Sequence, residues 1–277
     1  MKTLILIGKI ALFVLLTLLT QTGGVIYLLL QPLYRRIDHR FTGRLQRWLG
    51  KTGLYLTAYL IATLCVVPLI ARPFGRVPMP LTLHNHIRPQ NILTCLLNRH
   101  YVRPQLRQAA EAVAQDMANA YPGTELNYLD GCFPFINKFP LFPHLSHNDG
   151  KKLDLSFCYI DAHSGTPTNK TPSAIGYGIC EEPRPGEKDQ PCFCSENGYW
   201  QYNFMRRIVP QANKKDFIFD STRTKAEVLF FAKSENIGKI FIEPHLKIRL
   251  GLEAVDKIRY HGCHAVRHDD HIHVQLN

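Results

Sequence analysis

The first seventy-odd residues hold two long apolar runs separated by a basic stretch, a pattern that nothing later in the chain repeats. Residues from about 10 to 30 and from about 53 to 71 are almost wholly apolar, and each run is long enough to cross a bilayer core as a helix. Between them stand Arg35, Arg36, Arg40, Arg44, Arg47 and Lys51 against the single acid Asp38. Cytoplasmic loops collect Lys and Arg, so this loop is expected in the cytoplasm with both chain ends outside. Neither run is amphipathic, which argues against a buried hairpin of a soluble protein. A cleaved signal peptide is the rival for the first run, because Lys2 and Lys9 precede its core. No small-x-small processing site stands around Thr20 to Gly24, and a second run follows at once. Residues 1–76 are therefore expected to form a membrane anchor.

Residues 77–100 change to a mixed composition. Pro78, Pro80 and Pro89 interrupt any helix there, which predicts a linker. Periodic patterns resume at 101. Leu106, Ala109, Ala110, Val113, Met117 and Ala120 recur at helical spacing from 103 to 120, and Pro122-Gly123 stops them. Strands are expected over 125–130, 152–160 and 237–243, with helices over 222–234 and 244–250. The tail His271-Ile-His-Val-Gln-Leu276 alternates as a half-buried strand. Residues 161–198 lack apolar periodicity and are expected to wall or cover a cleft.

The chain carries 33 Lys and Arg against 22 Asp and Glu. Ten of those bases and one of the acids fall before residue 77, which leaves 23 against 21 for the rest. The excess therefore marks membrane topology and attraction to anionic headgroups, not a nucleic-acid footprint.

Candidate chemistry lies in two distant pieces. In the tail strand His271 and His273 project from one face while Ile272, Val274 and Leu276 take the other. Upstream, Ser146-His147-Asn-Asp-Gly150 leads into Leu153-Asp154-Leu155, with Gly150 free to adopt a conformation that a side chain forbids. Two imidazoles and one carboxylate would leave an open fourth position on a zinc ion, the arrangement of a catalytic site. His144 is a rival for His147, but it lacks the Gly and Asp at the right offsets. His84 and His86 repeat the His-x-His spacing without a strand or a carboxylate partner, so they are expected to be exposed. With no suitable Glu in sight, His268 or His271 is the candidate base; we assign His268 as base and His271 as transition-state stabiliser, roles that could be exchanged.

The His-x-x-Gly-x-x-x-Asp element and the closing His-x-His resemble the LAS metallopeptidases, named for lysostaphin, D-Ala-D-Ala peptidases and sonic hedgehog. Within them the chain is most similar to the penicillin-insensitive murein endopeptidases. Ser146 before His147, the histidines at 268, 271 and 273, and the run Lys239-Ile-Phe-Ile-Glu-Pro-His-Leu-Lys247 carry that likeness, which covers roughly residues 101–277. The resemblance implies an α+β domain with a central antiparallel sheet and zinc held by His147, Asp154 and His273, with His271 and His268 assisting. It further implies cleavage of peptidoglycan cross-links at a D-alanyl bond, in the periplasm, from an inner-membrane anchor. Carboxypeptidase action on wall stem peptides, or a non-catalytic zinc module regulating wall enzymes, are the alternatives. Asn148 stands where the endopeptidases tend to have Gln. Lys152 stands where they tend to have Asp, and it brings a cation toward the site.

Cys65 lies in the second apolar run and is expected to pack there. Cysteines 95, 132, 158, 180, 192, 194 and 263 lie outside it, and in an oxidising compartment they are expected to form disulfides with at least one left over. Bridges among Cys132, Cys158 and Cys263 would stiffen the site. A second zinc on Cys180, Cys192 and Cys194 with a histidine is the other reading.

Overall fold

The computed structural model describes residues 2–277, a mixed α+β chain. Helix α1 covers Lys2–Thr20, and the backbone reverses at Gln21, whose φ is 65°. Helices α2 (Gly23–Leu29) and α3 (Gln31–Arg40) run back along α1. Gly24 permits this approach, since a Cβ there would meet Phe13 O at 2.6 Å. Helix α4 (Arg44–Ile61), a π-helical turn (Ala62–Val66) and α5 (Val67–Ala71) then return as one rod. The widened turn precedes Pro68, which has no N–H to give and whose ring crowds the carbonyl four residues back. Tyr27, Leu30 and Tyr34 form the small core of this bundle, packed by Phe13, Leu16, Leu54, Tyr55 and Ala58.

Two helical stretches, Thr3–Thr20 and Arg44–Phe74, are long and apolar enough to cross a membrane. The first boundary differs from the expected 10–30. Thr20-Gln-Thr-Gly-Gly24 is a poor helix segment, because glycine and short polar residues favour caps and turns, and the chain turns there. The start of α1 consequently lies at the basic end of the bundle, where Lys9 shares a cavity with Arg35 and Lys51. The start of α1 and the domain therefore lie at opposite ends of the helical bundle, whereas both chain ends are expected on one side.

Residues 77–100 are not a free linker. Strand β1 (Val77–Pro78) pairs with β3 (Tyr101–Val102), and β2 (Ile87–Pro89) joins the main sheet beside β4 (Leu126–Tyr128). Helix α6 (Ile92–Leu96) lies between β2 and β3 and is capped by Asn91, whose side chain accepts from Leu93 N at 2.9 Å. The prolines forbid a long helix yet fit these short edge strands. His84 and His86 are exposed, as expected.

Polar contacts join the bundle to the domain at its turn. Gln21 Oε1 accepts from Phe135 N at 2.8 Å, and Asn98 Nδ2 donates to Thr22 Oγ1 at 3.0 Å. Tyr59 donates to Leu96 O at 2.6 Å, and the buried Arg76 guanidinium donates to Phe133 O at 2.5 Å. Val67, Ala71, Tyr101 and Phe135 add an apolar contact across the same joint.

Helix α7 (Pro104–Ala120) follows, with proline at its first turn where the missing N–H costs nothing. Strands β5 (Lys152–Ser156), β6 (Tyr159–Asp161) and β7 (Pro167–Thr168) come next; Phe157 and Cys158 break the expected strand 152–160 in two. Helices α8 (Gln190–Glu196) and α9 (Phe204–Ile208) then precede β8 (Phe217–Phe219). Helix α10 (Ser221–Lys233) is capped by Asp220, which accepts from Arg223 N at 3.0 Å, a contact of the kind that stabilises helices by about 1 kcal/mol. Strand β9 (Ile237–Phe241), helix α11 (Pro244–Arg249), β10 (Ile258–Arg259) and β11 (His271–Leu276) complete the chain.

The main sheet has six strands in the order β10-β9-β11-β5-β4-β2. Its interior pairs are antiparallel, as expected, while the two edge pairs are parallel, so the sheet is mixed. Leu106, Val113 and Met117 of α7 and Val228 and Phe231 of α10 share one core with Leu153, Leu155, Ile272 and Val274. Each such side chain stabilises the fold by about 1.5–3 kcal/mol on burial. Strand alternation sends Asp154, His271 and His273 to the other face.

Candidate metal centre

His273 and Asp154 lie far apart in sequence but are direct cross-strand partners on β11 and β5. Directly opposed residues on one sheet face hold their Cβ atoms about 4.5–5.5 Å apart. His147 arrives from the loop before β5, which turns through Gly150 at φ 76°, where Gly150 O accepts from Arg103 N at 2.7 Å. The three side chains are almost inaccessible to solvent, at 1%, 0% and 2% exposure for His147, Asp154 and His273.

Their ligand atoms form a tight triangle. Asp154 Oδ1 lies 2.8 Å from His273 Nδ1 and 3.2 Å from His147 Nε2, and the two nitrogens are 3.1 Å apart. Tetrahedral ligands at 2.0–2.1 Å from an ion are roughly 3.3 Å from one another, so these atoms need to spread by only a few tenths of an ångström. Proton counting leads to the same place. His147 Nδ1 lies 2.8 Å from Gly131 O, which leaves its Nε2 turned toward the carboxylate. Burial, outweighing the pull of Asp154, pushes His273 down to about 3 and keeps it neutral. Burial alone would raise Asp154, but the surrounding imidazoles, His147 and His271 first, hold it well below the usual carboxylate range. A buried carboxylate on which two imidazole nitrogens converge could hold a metal ion, and the sequence-derived ligand set is the one the fold brings together.

The residues behind this triangle give no regular sequence signal. Tyr177 donates to Asp154 Oδ2 at 2.8 Å and accepts from Asp130 N at 3.1 Å. Asp130 meets His144 Nδ1 at 2.9 Å and Arg99 Nη2 at 2.5 Å; burial would raise its pKa, but these partners, Arg99 first, lower it to about 2. His144 is thus a buried supporting residue whose Nε2 has no partner, and it is not one of the three ligands. Tyr177 sits in the long loop 161–198, where no spacing marks it. Asp270, adjacent to His271, was detectable in principle by that adjacency.

No match to this chain is found among protein-family models or among curated proteins. What the site can do has to come from its geometry.

His271 and His268 flank the triangle. His271 Nδ1 is bonded to Asp270 Oδ1, and its buried Nε2 points inward, unpartnered, 3.7 Å from Asp154 Oδ1. Burial would lower this imidazole, yet Asp154 and Asp270 together raise it to about 9. His268 behaves in the opposite way: burial first, then His271, His273 and His261, push it well below the ordinary histidine value. Glu243 lies behind His268, accepting from its backbone N at 3.1 Å and from Tyr202 at 2.5 Å.

The site opens into a cleft of about 470 Å³ walled by Phe142, Leu145, Trp200, Phe204, His261 and His264, with Asp154, His147 and His273 at its floor. Residues 161–198, expected as wall or lid, do not line it; the walls come from 142–147, 200–204 and 261–268. Tyr177 supports the floor from below instead. Lys152 does not line the cleft and pairs with Asp149 at 2.7 Å, yet while burial is the main cause that lowers the pKa of the cleft-wall residue His261, the Lys152 charge is close enough to help. Among the described residues no Lys, Arg or Glu lines the cleft.

One disulfide, Cys194–Cys263, ties α8 to the wall loop carrying His261 and His264. Cys132 and Cys158, expected to brace the site by bridges, are buried free thiols, and the Cys158 thiol donates to Glu227 Oε2 at 3.5 Å. Cys194 is consumed by the disulfide, so the second-zinc reading loses a ligand. Cys65 faces outward from its helix and does not pack inside it.

Proposed function

We propose that the chain is a membrane-anchored zinc metallopeptidase that hydrolyses peptidoglycan cross-links at D-alanyl bonds, with its α+β domain in the periplasm. The observation that carries this reading is the buried His147–Asp154–His273 triangle opening onto a cleft flanked by two imidazoles of opposite character. Two imidazole nitrogens and one carboxylate suit zinc and leave a position open, which supports a catalytic over a structural ion. When bound, zinc supplies a polarised carbonyl and a water acidified to near neutral pH.

The chain's own residues divide the proton work. His268, kept neutral, has the lone pair to take a proton from the attacking water. His271 keeps its proton because Asp270 stays available behind it when a cation occupies the triangle, so its Nε2–H is aimed where negative charge develops. The absence of Lys and Arg from the cleft supports endopeptidase action, since a terminal carboxylate is ordinarily held by a cation. The anchor reading rests on the two apolar stretches and on a basic end remote from the domain.

The test uses full-length protein in mild detergent with purified murein. One zinc per chain and conversion of cross-linked dimers to monomers are expected, and His147→Ala should abolish both. Release of terminal D-alanine alone would assign a carboxypeptidase. Stoichiometric metal with no product from any wall fragment would leave a zinc-binding module.

A further inference from the structure

A second cavity, of about 440 Å³, opens between α1, α3 and α4 at the end of the bundle remote from the domain. Leu12, Leu16, Tyr27 and Tyr55 line it together with Lys9, Arg35, Asp38 and Lys51. That volume falls within the roughly 300–1,000 Å³ of sites that hold small molecules. Two of these cations are not neutralised from within. Asp38 is the single acid before residue 77, and Lys51 already occupies it at 2.7 Å. Lys9 and Arg35 therefore have no carboxylate partner among the described residues.

Lys9 interrupts an otherwise apolar helix, and an unpaired charge inside a bilayer is costly unless an anion or the interface receives it. A largely apolar slot whose lining carries three cations against the one acid Asp38, with Lys9 and Arg35 unpaired, is complementary to an amphiphile with an anionic head. We propose that this cavity binds one acidic phospholipid, its phosphate between Lys9 and Arg35 and an acyl chain along Leu12, Leu16 and Tyr27. Arginine's planar fork matches phosphate oxygens, and the lysine supplies a second point charge. Trp48, also lining the cavity and 60% exposed, stands where an indole sits well at headgroup level. The apolar wall distinguishes this ligand from a free anion, which would leave the slot unfilled. The inference rests on the membrane reading above.

The test is native mass spectrometry of the full-length protein, delipidated in detergent and offered equimolar phosphatidylglycerol and phosphatidylethanolamine. One retained phosphatidylglycerol is expected, with retention falling about fivefold for each cation lost in Lys9→Gln and Arg35→Gln. Leu16→Trp fills the slot while leaving both cations, and it should also expel the lipid, so the inference survives a poorly folding charge variant. Equal retention of the two lipids, unchanged retention in both charge variants, or displacement by inorganic phosphate at equal concentration would overturn it. Extraction of the chain from membranes by alkaline wash would instead sink the anchoring reading. A chain that stays in the membrane yet holds no acidic lipid sinks this inference alone.

Discussion

Replacing Tyr177 by Phe removes one oxygen and keeps the ring that packs at 4.4 Å from His144 and 4.9 Å from His271. That oxygen donates to Asp154 Oδ2 and accepts from Asp130 N, both buried. Hydrogen bonds to charged groups contribute about 1.5–3 kcal/mol, and a stranded buried N–H costs about 1–3 kcal/mol. The first loss falls on a metal ligand, so its share should appear in zinc affinity as a 10–100-fold weakening, the range typical of groups that orient ligands from behind. The second loss falls on the fold and should lower the melting temperature of the metal-free protein. The measurement is zinc competition against a chelator of known affinity, run beside thermal melts with and without metal. Unchanged zinc affinity in Tyr177→Phe, with the protein folded, would show that Asp154 is not positioned by this phenol and would undo the account of the site's support.

Further outcomes follow from other residues. His268→Ala should lower turnover while leaving zinc content nearly unchanged, checked by metal analysis beside murein digestion; parallel loss of metal would remove His268 from the base role. Glu227 is fully buried, and burial raises its pKa from 4.5 to about 8 despite Cys158 and Arg223. The folded chain therefore holds that proton more tightly than the unfolded one. The associated stability is complete below about pH 4.5 and is lost as pH rises through about 8, up to a ceiling of about 5 kcal/mol. Glu227→Gln should flatten this decline in denaturant titrations between pH 5 and 8; an unaltered slope would refute the assignment. The Cys194–Cys263 bridge closes a 69-residue separation, for which chain entropy gives about 4 kcal/mol. Cys263→Ser should lower the melting temperature by roughly 8–16 °C with zinc content retained, measured by calorimetry.

The residues of the candidate metal triad are legible because each carries its spacing locally. Alternation in β11 and in Leu153-Asp154-Leu155 fixes which face each residue takes, and Gly150 marks the turn that delivers His147. Only the fold adds that positions 154 and 273 are cross-strand neighbours. Tyr177 and Asp130 escaped notice because a supporting hydrogen bond can come from any loop at any spacing. The Cys194–Cys263 pair escaped for a related reason, since bridging depends on approach in space. The helices expected after residue 100 lie within one or two residues of their expected bounds, as α10 does at 221–233 against 222–234, whereas the two apolar helices begin about eight or nine residues earlier than expected. Segment 77–100 was misjudged because strands of two and three residues are too short to show a period.

Gln21 has a consequence that reaches beyond the anchor. Its amide oxygen grips the main chain at Phe135 and Ile136, at the head of the stretch that runs on to Phe142, His144 and His147. On the proposed topology the mouth of the enzyme would therefore stand at a set height above the lipid surface, and would not swing on a tether. If the proposed function holds, such a cutter would reach only material within that fixed distance of the membrane and would spare what lies farther out.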